Sequence, residues 1–309
     1  MFFKNADPWG FILFARNIET PDQVRRLCQH LREAVDRADA PIFIDQEGGR
    51  VQRLRGPHWQ EWDAPLDEPL EALTSRYRVI GAELRALGIT GNCAPVLDIA
   101  QADTHPVLRN RCFGETPDQV ALAGRLVADA LLSVGVMPVI KHMPGQGRAN
   151  LDSHVDLPHV DASLDGLRDW EFEPFSALAD LPLAMTSHIV FDALDDRPTT
   201  FSEPVVDTIR RDIGFDGLLL TDDLSMGALG GSFGLRARRA LAAGCDIILH
   251  CNGDRAEMVA ILPEVPVLTG PRFERAVASL SCGKPQDVVD IREEFAQYSA
   301  IKQERAARA

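Results

Sequence analysis

The sequence predicts an α/β fold, a single (β/α)8 TIM barrel that leaves room for an irregular first βα unit. Eight short apolar segments suited to buried parallel strands recur along the chain, and segments with helical spacing lie between most of them. Strictly alternating strands and helices require a parallel sheet covered by helices, either doubly wound or closed. Eight such units in 309 residues, without a Gly/Ser linker or a break in composition, favour the closed barrel.

The predicted elements follow one another in regular order. The strand candidates are GFILFA, APIFID, GITGNCAPVLDI, VGVMPVIKH, LPLAMTSHIVF, GLLLTDD, CDIILH and EVPVLTG. Helices that begin with a capping Thr or Ser are predicted in TPDQVRRLCQHLREAV, TPDQVALAGRLVADALLSV and SEPVVDTIRRDI. A further helix, LEALTSRYRVIGAELRAL, follows the loop that begins at GPHWQEWDAP. We expect residues 1–309 to form one catalytic barrel domain with a helical tail at about residues 285–309.

Charge and cysteine usage exclude several classes of partner. The net charge of −14, without a long run of Lys and Arg, disfavours a nucleic-acid partner. The six cysteines form no CxxC pair, which indicates reduced thiols rather than a disulfide framework. The first ten residues carry too short an apolar run for a signal peptide, and no segment reaches the length of a membrane span. The predicted protein is cytoplasmic, has no membrane partner and is a monomer.

Ionisable side chains end most of the predicted strands. In a barrel, the carboxyl ends of the strands converge on the face where reacting residues lie. A single Asp or His at such a place is more often a helix cap or a structural hydrogen-bonding group. Desolvating so many of them together without a function would be costly, so the joint pattern predicts a polar active site. These residues are Asp45, Asp98, Lys141, His142, His188, Asp222, Asp223 and His250.

The same residues do not form a recognisable metal site. The chain has no HExxH and no paired CxxC, so neither a metal nor a cofactor is predicted. Lys141 could form a Schiff base, because barrel aldolases place such a lysine at a strand end. His142, Arg53 and Arg111 favour instead a cluster that binds hydroxyl or carboxylate groups, with Lys141 kept charged.

Five segments carry a resemblance to a known family. FIDQEGGRVQRLRG (43–56), APVLDI (94–99), RCFG (111–114), KHMPGQGRANLDSH (141–154) and TDDLSM (221–226) resemble the family 3 β-N-acetylglucosaminidases of bacterial cell-wall recycling. The resemblance runs from GFILFARN to about residue 253, in the family's order. It implies a single (β/α)8 barrel that removes terminal β-linked N-acetylglucosamine from muropeptides carrying 1,6-anhydro-N-acetylmuramic acid, by a retaining double displacement.

The resemblance also implies roles for individual residues. Asp222 is the nucleophile that forms a covalent glycosyl-enzyme, and His154 is the acid/base in a dyad with Asp152. A strand-end carboxylate has little freedom to move away from the anomeric carbon, and a histidine titrates near working pH. In an extended segment the i, i+2 spacing of the dyad puts both side chains on one face, although the same residues also suit an Asx-turn beside a surface histidine. The residues implied to hold sugar hydroxyls are Asp45, Arg53, Arg111, Lys141 and His142.

Three neighbouring residues receive weaker or different roles. Asp98 is expected to support the site from behind, and Asp223 to make structural hydrogen bonds, since it should point away from Asp222. Gln146 stands where the family usually carries His or Arg, which removes a charge from the loop. Gly145 and Gly147 suggest a loop that moves to deliver His154 when substrate binds.

Two other functions remain open for the same residues. A phosphorylase would suit a histidine acid/base, which repels incoming phosphate less than a carboxylate does. A non-catalytic sugar-binding barrel is a third possibility, but pure binding needs neither a nucleophile nor an acid/base dyad.

Overall fold

The computed structural model describes residues 2–153 and 156–308, and the chain divides into two compact units. Compact unit 1 comprises residues 2–95, 123–139 and 279–308. Compact unit 2 comprises residues 96–122 and the described part of 140–278. Both units combine parallel strands with helices, as the alternating sequence pattern predicts.

The strands are short and mostly buried. In chain order they are β1 (Phe11–Leu13), β2 (Ile42–Ile44), β3 (Gln46–Gly48), β4 (Val51–Gln52), β5 (Gly91–Asn92), β6 (Met137–Met143), β7 (His159–Val160), β8 (Leu183–Thr186), β9 (Val190–Phe191), β10 (Leu218–Asp223) and β11 (Ile247–Leu249).

Helices separate these strands. They are α1 (Phe2–Ala6), α2 (Pro21–Ala34), α3 (Leu73–Leu87), α4 (Pro106–Arg109), α5 (Pro117–Ser133), α6 (Leu164–Arg168), α7 (Glu173–Ala177), α8 (Glu203–Arg211), α9 (Phe233–Ala243), α10 (Arg255–Ile261), α11 (Gly270–Ser281) and α12 (Ile291–Arg308). The predicted starts of three helices are confirmed, because the hydroxyls of Thr20, Thr116 and Ser202 accept the N–H three residues later.

In compact unit 1, the strands β1, β2, β5 and the start of β6 are neighbours in that order. All their pairings are parallel: Phe11 pairs with Ile42, Phe43 with Gly91, and Gly91 with Met137. The antiparallel hairpin β3–β4 follows β2 directly. Buried residues of β2 and of the apolar face of α3 supply its core.

In compact unit 2, the rest of β6 is followed in space by β8, β10 and β11. The strand β10 pairs in parallel with β8 on one side and with β11 on the other. The helix α9 packs on the segment after β10, where Ala237 and Ala240 join Leu224 and Leu229 in an apolar cluster. The carboxyl ends of β6, β8 and β10 therefore lie along one edge of this unit's sheet.

The eighth predicted strand, EVPVLTG, is wrong. Residues 265–269 have no regular secondary structure before α11 begins. The side chain of Val267 is 86% exposed, so this apolar run does not enter the core as a buried strand would. Pro266 also lacks the N–H that a central strand needs for its ladder. The other seven predicted strands are present in residues 2–153 and 156–308, as β1, β2, β5, β6, β8, β10 and β11.

Candidate active site

His142 at the end of β6 is held by a carboxylate from a different segment. All seven residues of β6 are buried, and the peptide bond between Lys141 and His142 is cis. The buried Asp98 places Oδ2 2.6 Å from His142 Nδ1. Because a carboxylate only accepts, Nδ1 carries the proton and donates it, which leaves Nε2 as an acceptor. Arg111 Nη2 lies 3.3 Å from Nε2 and can donate to it. Asp98 thus contacts His142, one of the residues predicted to bind the sugar, and its supporting role stays a prediction.

Gln146 is part of the same cluster. Its backbone N–H donates to Asp98 Oδ1 at 2.8 Å, and its side-chain amide lies 3.0 Å from His142 Nδ1. The side chain is 94% buried, since only 6% of the residue is exposed. A neutral amide at this place adds no further positive charge next to the Arg111 guanidinium and the His142 ring. The backbone N–H of Gln146 therefore helps to hold Asp98, which in turn holds His142.

Lys141 and Arg111 bring two buried cations to the same unit. Lys141 is 2% exposed and Arg111 is 9% exposed. Buried charges are costly unless they meet compensating groups, so two of them in this unit mark a polar region of its interior. Lys141 also contributes to the low pKa of Asp222.

Asp222 lies at the end of β10 with much of its carboxylate available. Burial on its own would raise its pKa, but the neighbouring His188 and His142 rings, the N–H of Asp223 and the charge of Lys141 outweigh that effect. The pKa of Asp222 is therefore lowered, and the group is ionised at neutral pH. Within residues 2–153 and 156–308, the backbone N–H of Asp223 is the one hydrogen-bond donor to this carboxylate, at 2.8 Å from Oδ1. The residue is partly exposed, and among the described residues no hydrogen-bond donor contacts its Oδ2.

Asp223 is a structural residue, as predicted. Its Oδ1 accepts the backbone N–H groups of Ser225 at 2.9 Å and of Cys251 at 3.0 Å, and its Oδ2 accepts the Ser225 hydroxyl. These bonds tie the turn after β10 to the segment after β11. Both carboxylate oxygens of Asp223 thus make structural hydrogen bonds, whereas Asp222 accepts a bond at Oδ1.

His188, at the end of β8, is completely buried. Its Nε2 lies 3.0 Å from the backbone carbonyl of Asp223, and its Nδ1 lies 2.8 Å from the hydroxyl of Thr200. Burial lowers the pKa of this imidazole in spite of the nearby carboxylates. The ring is neutral at neutral pH. The strand-end pattern drew attention to His188 but gave it no role.

The loop after β6 is anchored through its first half. A Cβ at Gly147 would lie 2.1 Å from the carbonyl oxygen of Ile99, so only glycine fits there. Arg148 pairs with the buried Glu171 at 2.7 Å, and Gln101 donates to the same carboxylate. Burial raises the pKa of Glu171, while Arg148 and Gln101 oppose that rise. Sequence reasoning missed Glu171, since it ends no strand and lies 70 residues from Gln101.

The proton-transfer pair is only half within the described residues. Asp152 is partly buried, and its backbone carbonyl accepts the N–H of Asp156 at 3.1 Å. The carbonyl of Ser153 accepts the N–H of Ala228, which follows β10, at 3.3 Å. His154 lies outside the described residues, so its dyad with Asp152 stays a prediction, as does the delivery of His154 by loop movement.

Asp45 and Arg53 meet in compact unit 1. Asp45 follows β2 and pairs with Arg53 at 3.0 Å, while the Arg53 guanidinium lies over the ring of Phe14. The side chain of Gln46 accepts the N–H groups of Arg53 and Leu54 and so fixes the hairpin between them. Of the five residues implied to hold sugar hydroxyls, two are therefore paired in this unit and three gather in compact unit 2.

Two further properties bear on the class of site. No group of three or more His, Cys, Asp and Glu side chains suited to a metal ion is found among the described residues. His250 instead pairs with Glu257 at 2.8 Å. In the same part of the chain, none of the helices has both the length and the apolar character needed to span a bilayer.

Comparison with known proteins decides the family. The model of the glycosyl hydrolase family 3 N terminal domain matches residues 4–278. The chain belongs to glycosyl hydrolase family 3. A β-hexosaminidase from Methylococcus capsulatus is 37% identical over 287 residues, covering 89% of this chain and 84% of the relative. The predicted family is confirmed, and so is the enzyme class, a glycoside hydrolase related to β-hexosaminidases.

Solved structures of family 3 enzymes share the fold. NagZ from Neisseria gonorrhoeae, in complex with N-trifluoroacetyl-D-glucosamine, aligns with a TM-score of 0.83 at 28% identity, over 94% of this chain and 90% of that chain. A family 3 β-N-acetylglucosaminidase from Paenibacillus sp. aligns with a TM-score of 0.78 at 32% identity, over 91% of this chain. This chain spans 58% of that longer protein. The predicted α/β, TIM-barrel fold class is confirmed.

Proposed function

We propose that this family 3 enzyme is a retaining exo-β-N-acetylglucosaminidase that uses Asp222 as its nucleophile. The observation that carries the proposal is the state of the Asp222 carboxylate: it is ionised, held by one backbone N–H and open at Oδ2. A retaining glycosidase needs a carboxylate of this kind. The β-hexosaminidase relative and the neighbour crystallised with an N-acylated glucosamine support an amino sugar as the substrate.

The chemistry takes place in two displacements. In the first, Oδ2 of Asp222 forms a bond to the anomeric carbon, the bond from that carbon to the glycosidic oxygen breaks, and His154 gives this oxygen a proton. In the second, His154 takes a proton from a water molecule whose oxygen displaces Asp222. Two inversions leave the product in the β configuration. Asp152 keeps the imidazole oriented in both steps.

We propose that the buried cations help to bind and orient the sugar. Lys141 and Arg111 offer donors, Nε2 of His142 offers an acceptor, and the Asp45–Arg53 pair offers an acceptor and donors for further hydroxyls. A pyranose with adjacent hydroxyls suits such a mixture of charged donors and acceptors. We propose all five residues as substrate-binding groups.

The biological setting is part of the proposal. We infer a muropeptide substrate with N-acetylglucosamine linked to 1,6-anhydro-N-acetylmuramic acid, hydrolysed in the cytoplasm during cell-wall recycling. We further propose that residues 1–309 act as one catalytic domain and as a monomer.

Hydrolysis of p-nitrophenyl N-acetyl-β-glucosaminide tests the proposal. We expect Asp222→Asn to lower kcat by about 10³–10⁵-fold, because the amide cannot form the glycosyl-enzyme. Asp207→Asn, at an exposed position of α8, is the matched control and should keep full activity. A fluorinated N-acetylglucosaminyl fluoride should label the peptide that contains Asp222. Turnover that survives in Asp222→Asn, or a label on another residue, would refute the assignment.

The same assay separates hydrolysis from phosphorolysis. Added phosphate should leave free N-acetylglucosamine as the product. Accumulation of the sugar 1-phosphate would show that the enzyme is a phosphorylase. Borohydride trapping of a carbonyl compound on Lys141 would indicate an aldolase instead.

A further inference from the structure

His188 is a fully buried titratable residue that the proposed chemistry does not use. It follows β8 directly, and both of its ring nitrogens have partners within compact unit 2. One partner is the backbone carbonyl of Asp223, the residue after the nucleophile. The other is the hydroxyl of Thr200, 12 residues further along the chain.

The partners determine which nitrogen carries the proton. A carbonyl oxygen only accepts, so His188 Nε2 is the protonated nitrogen and donates to Asp223. Because the buried ring is neutral, Nδ1 has a lone pair and accepts a hydrogen bond from the Thr200 hydroxyl. Thr186 Oγ1 lies 2.8 Å from Thr200 Oγ1 and can donate to it in turn. The Asp223 carbonyl thus fixes the tautomer, and the two hydroxyls satisfy the other ring nitrogen.

Protonation of the His188 ring would reverse the direction of the hydrogen bond between Thr200 and Nδ1. Both nitrogens would then donate, and the Thr200 hydroxyl would have to turn toward the carbonyl of Ser187, which lies 3.1 Å away. Complete burial of His188 opposes that state. The neutral imidazole is therefore a fixed hydrogen-bond donor at the end of β8.

The donor acts on the residue that orients the nucleophile. His188 holds the carbonyl of Asp223, and the carboxylate of Asp223 is tied to Ser225 and Cys251. The N–H of Asp223 then donates to Oδ1 of Asp222. Asp223 is fixed at its carbonyl and at its side chain, so its N–H points in one direction.

We propose that His188 is a positioning residue for the nucleophile: with its tautomer fixed by the Asp223 carbonyl and its Nδ1 bonded to the Thr200 hydroxyl, it holds Asp223 so that the Asp223 N–H turns Asp222 Oδ2 toward the anomeric carbon. The inference rests on the proposed function, in which Asp222 is the nucleophile. Its consequence is that His188 affects formation of the glycosyl-enzyme rather than binding of the sugar.

Two substitutions of His188 separate its two hydrogen bonds. The amide nitrogen of Gln reaches about as far as Nε2, and that of Asn about as far as Nδ1. We expect His188→Gln to keep the bond to Asp223 and most of the activity. His188→Asn should lose that bond and lower kcat by about 10–100-fold, the usual cost of a misplaced reacting group. The inhibition constant of N-acetylglucosamine and the KM should stay within about twofold, since the groups that bind the sugar are unchanged.

Thr200 gives a second pair of variants in case a His188 variant fails to fold. Thr200→Ser keeps the hydroxyl and should behave as the unchanged enzyme. Thr200→Val removes it, leaves Nδ1 without a donor and should lower kcat about tenfold at constant KM. The rate of covalent labelling by the fluorinated glycosyl fluoride should fall in parallel with kcat in each impaired variant.

The outcomes distinguish this inference from the proposed function. If Asp222→Asn is inactive but His188→Asn and Thr200→Val keep full kcat, the inference is wrong and the nucleophile stands. Equal losses in His188→Gln and His188→Asn, with weakened inhibitor binding, would show a merely structural residue and overturn it too. If Asp222→Asn keeps its activity, both the proposed function and the inference fall.

Discussion

Two regions of the molecule bury charge, and they compensate for it in different ways. In compact unit 1, Arg76 and Glu68 are both completely buried as side chains and pair at 2.5 Å. In compact unit 2, Asp222 lies near His188, His142 and Lys141, and its Oδ1 accepts the backbone N–H of Asp223. The Arg76–Glu68 pair stabilises the fold, whereas the surroundings of Asp222 leave one carboxylate oxygen for the proposed reaction.

The ion-pair cluster of compact unit 1 joins three segments of the chain. Arg76 also donates to the carbonyls of Glu47 and Asp63, at 2.7 and 3.0 Å. On α12, Tyr298 donates to Glu68 at 3.3 Å, and Lys302 pairs with Glu68 and with Asp63. Burial, followed by the charge of Glu68, raises the pKa of Tyr298 to about 12. The cluster therefore ties the C-terminal helix to the segment that follows the β3–β4 hairpin.

This cluster also explains a glycine of the DQEGGR segment. A Cβ at Gly48 would lie 1.8 Å from Arg76 Nη2, and the residue has a φ of 103°. Gly48 therefore makes room for the guanidinium that supports the β3–β4 hairpin.

The largest effect on stability should come from breaking the ion pair between Arg76 and Glu68. We expect Glu68→Gln to reduce the free energy of unfolding by about 3–5 kcal/mol, because it leaves the Arg76 guanidinium buried without its counter-charge. Chemical denaturation measures the loss. The folded variant should keep its kcat, since Glu68 belongs to the fold and not to the site.

Glu61→Gln is the matched control for this change. Glu61 pairs with Arg55 at the surface with 61% of its side chain exposed, and such pairs contribute little. We expect a change below about 1 kcal/mol there. If Glu68→Gln and Glu61→Gln lose equal stability, the burial of the Arg76–Glu68 pair does not account for its contribution to stability.

The opposite result is expected for Asp98 in compact unit 2. Asp98→Asn keeps the size of the side chain but removes the charge that fixes His142 Nδ1–H, so we expect kcat/KM to fall about 10–100-fold. The stability loss should stay near 1 kcal/mol, because the amide oxygen still accepts one hydrogen bond. Steady-state kinetics and denaturation on the same preparation compare the two. If Asp98→Asn lost as much stability as Glu68→Gln, Asp98 would contribute to the fold in the same way as the Arg76–Glu68 pair, and the contrast between the two regions would be wrong.

The sequence predicted the parts of both regions that follow local rules. Lys141, His142 and Asp222 end apolar runs, and the carboxyl ends of parallel strands are where such residues meet. The capping hydroxyls of three helices were predictable for the same reason, since each cap lies three residues from the N–H that it accepts.

Partnerships between distant segments were beyond the sequence. Asp98 and His142 are 44 residues apart, and Gln146 joins them only through the fold. Nothing in the local pattern marks Thr200 as the partner of His188, or Glu171 as the anchor of the loop after β6. The eighth predicted strand failed for a related reason: an apolar run indicates a buried strand only if the fold has a place to bury it, and Val267 is exposed.

Glu83 extends the comparison, because this half-buried carboxyl group has neither a counter-charge among the described residues nor a proposed function. Glu83 on α3 makes no ion pair or hydrogen bond among the described residues through its carboxyl group, and burial raises its pKa from 4.5 to about 7. In the unfolded chain the group loses its proton near 4.5. Between these two values the folded state holds a proton that the unfolded state has lost, so stability falls as pH rises. Above the folded pKa both states are ionised and the full penalty remains.

Glu83→Gln removes this penalty and, unlike the other two substitutions, should stabilise the protein. We expect the variant to match the unchanged enzyme near pH 5 and to exceed its free energy of unfolding by about 1–3 kcal/mol near pH 8. Thermal or urea unfolding at the two pH values measures the difference. Glu293→Gln, on the exposed face of α12, provides the comparison at a solvated carboxylate and should shift stability equally at both. A stability gain that is already complete near pH 5 would mean that packing around the amide, rather than the buried negative charge, sets the cost at Glu83.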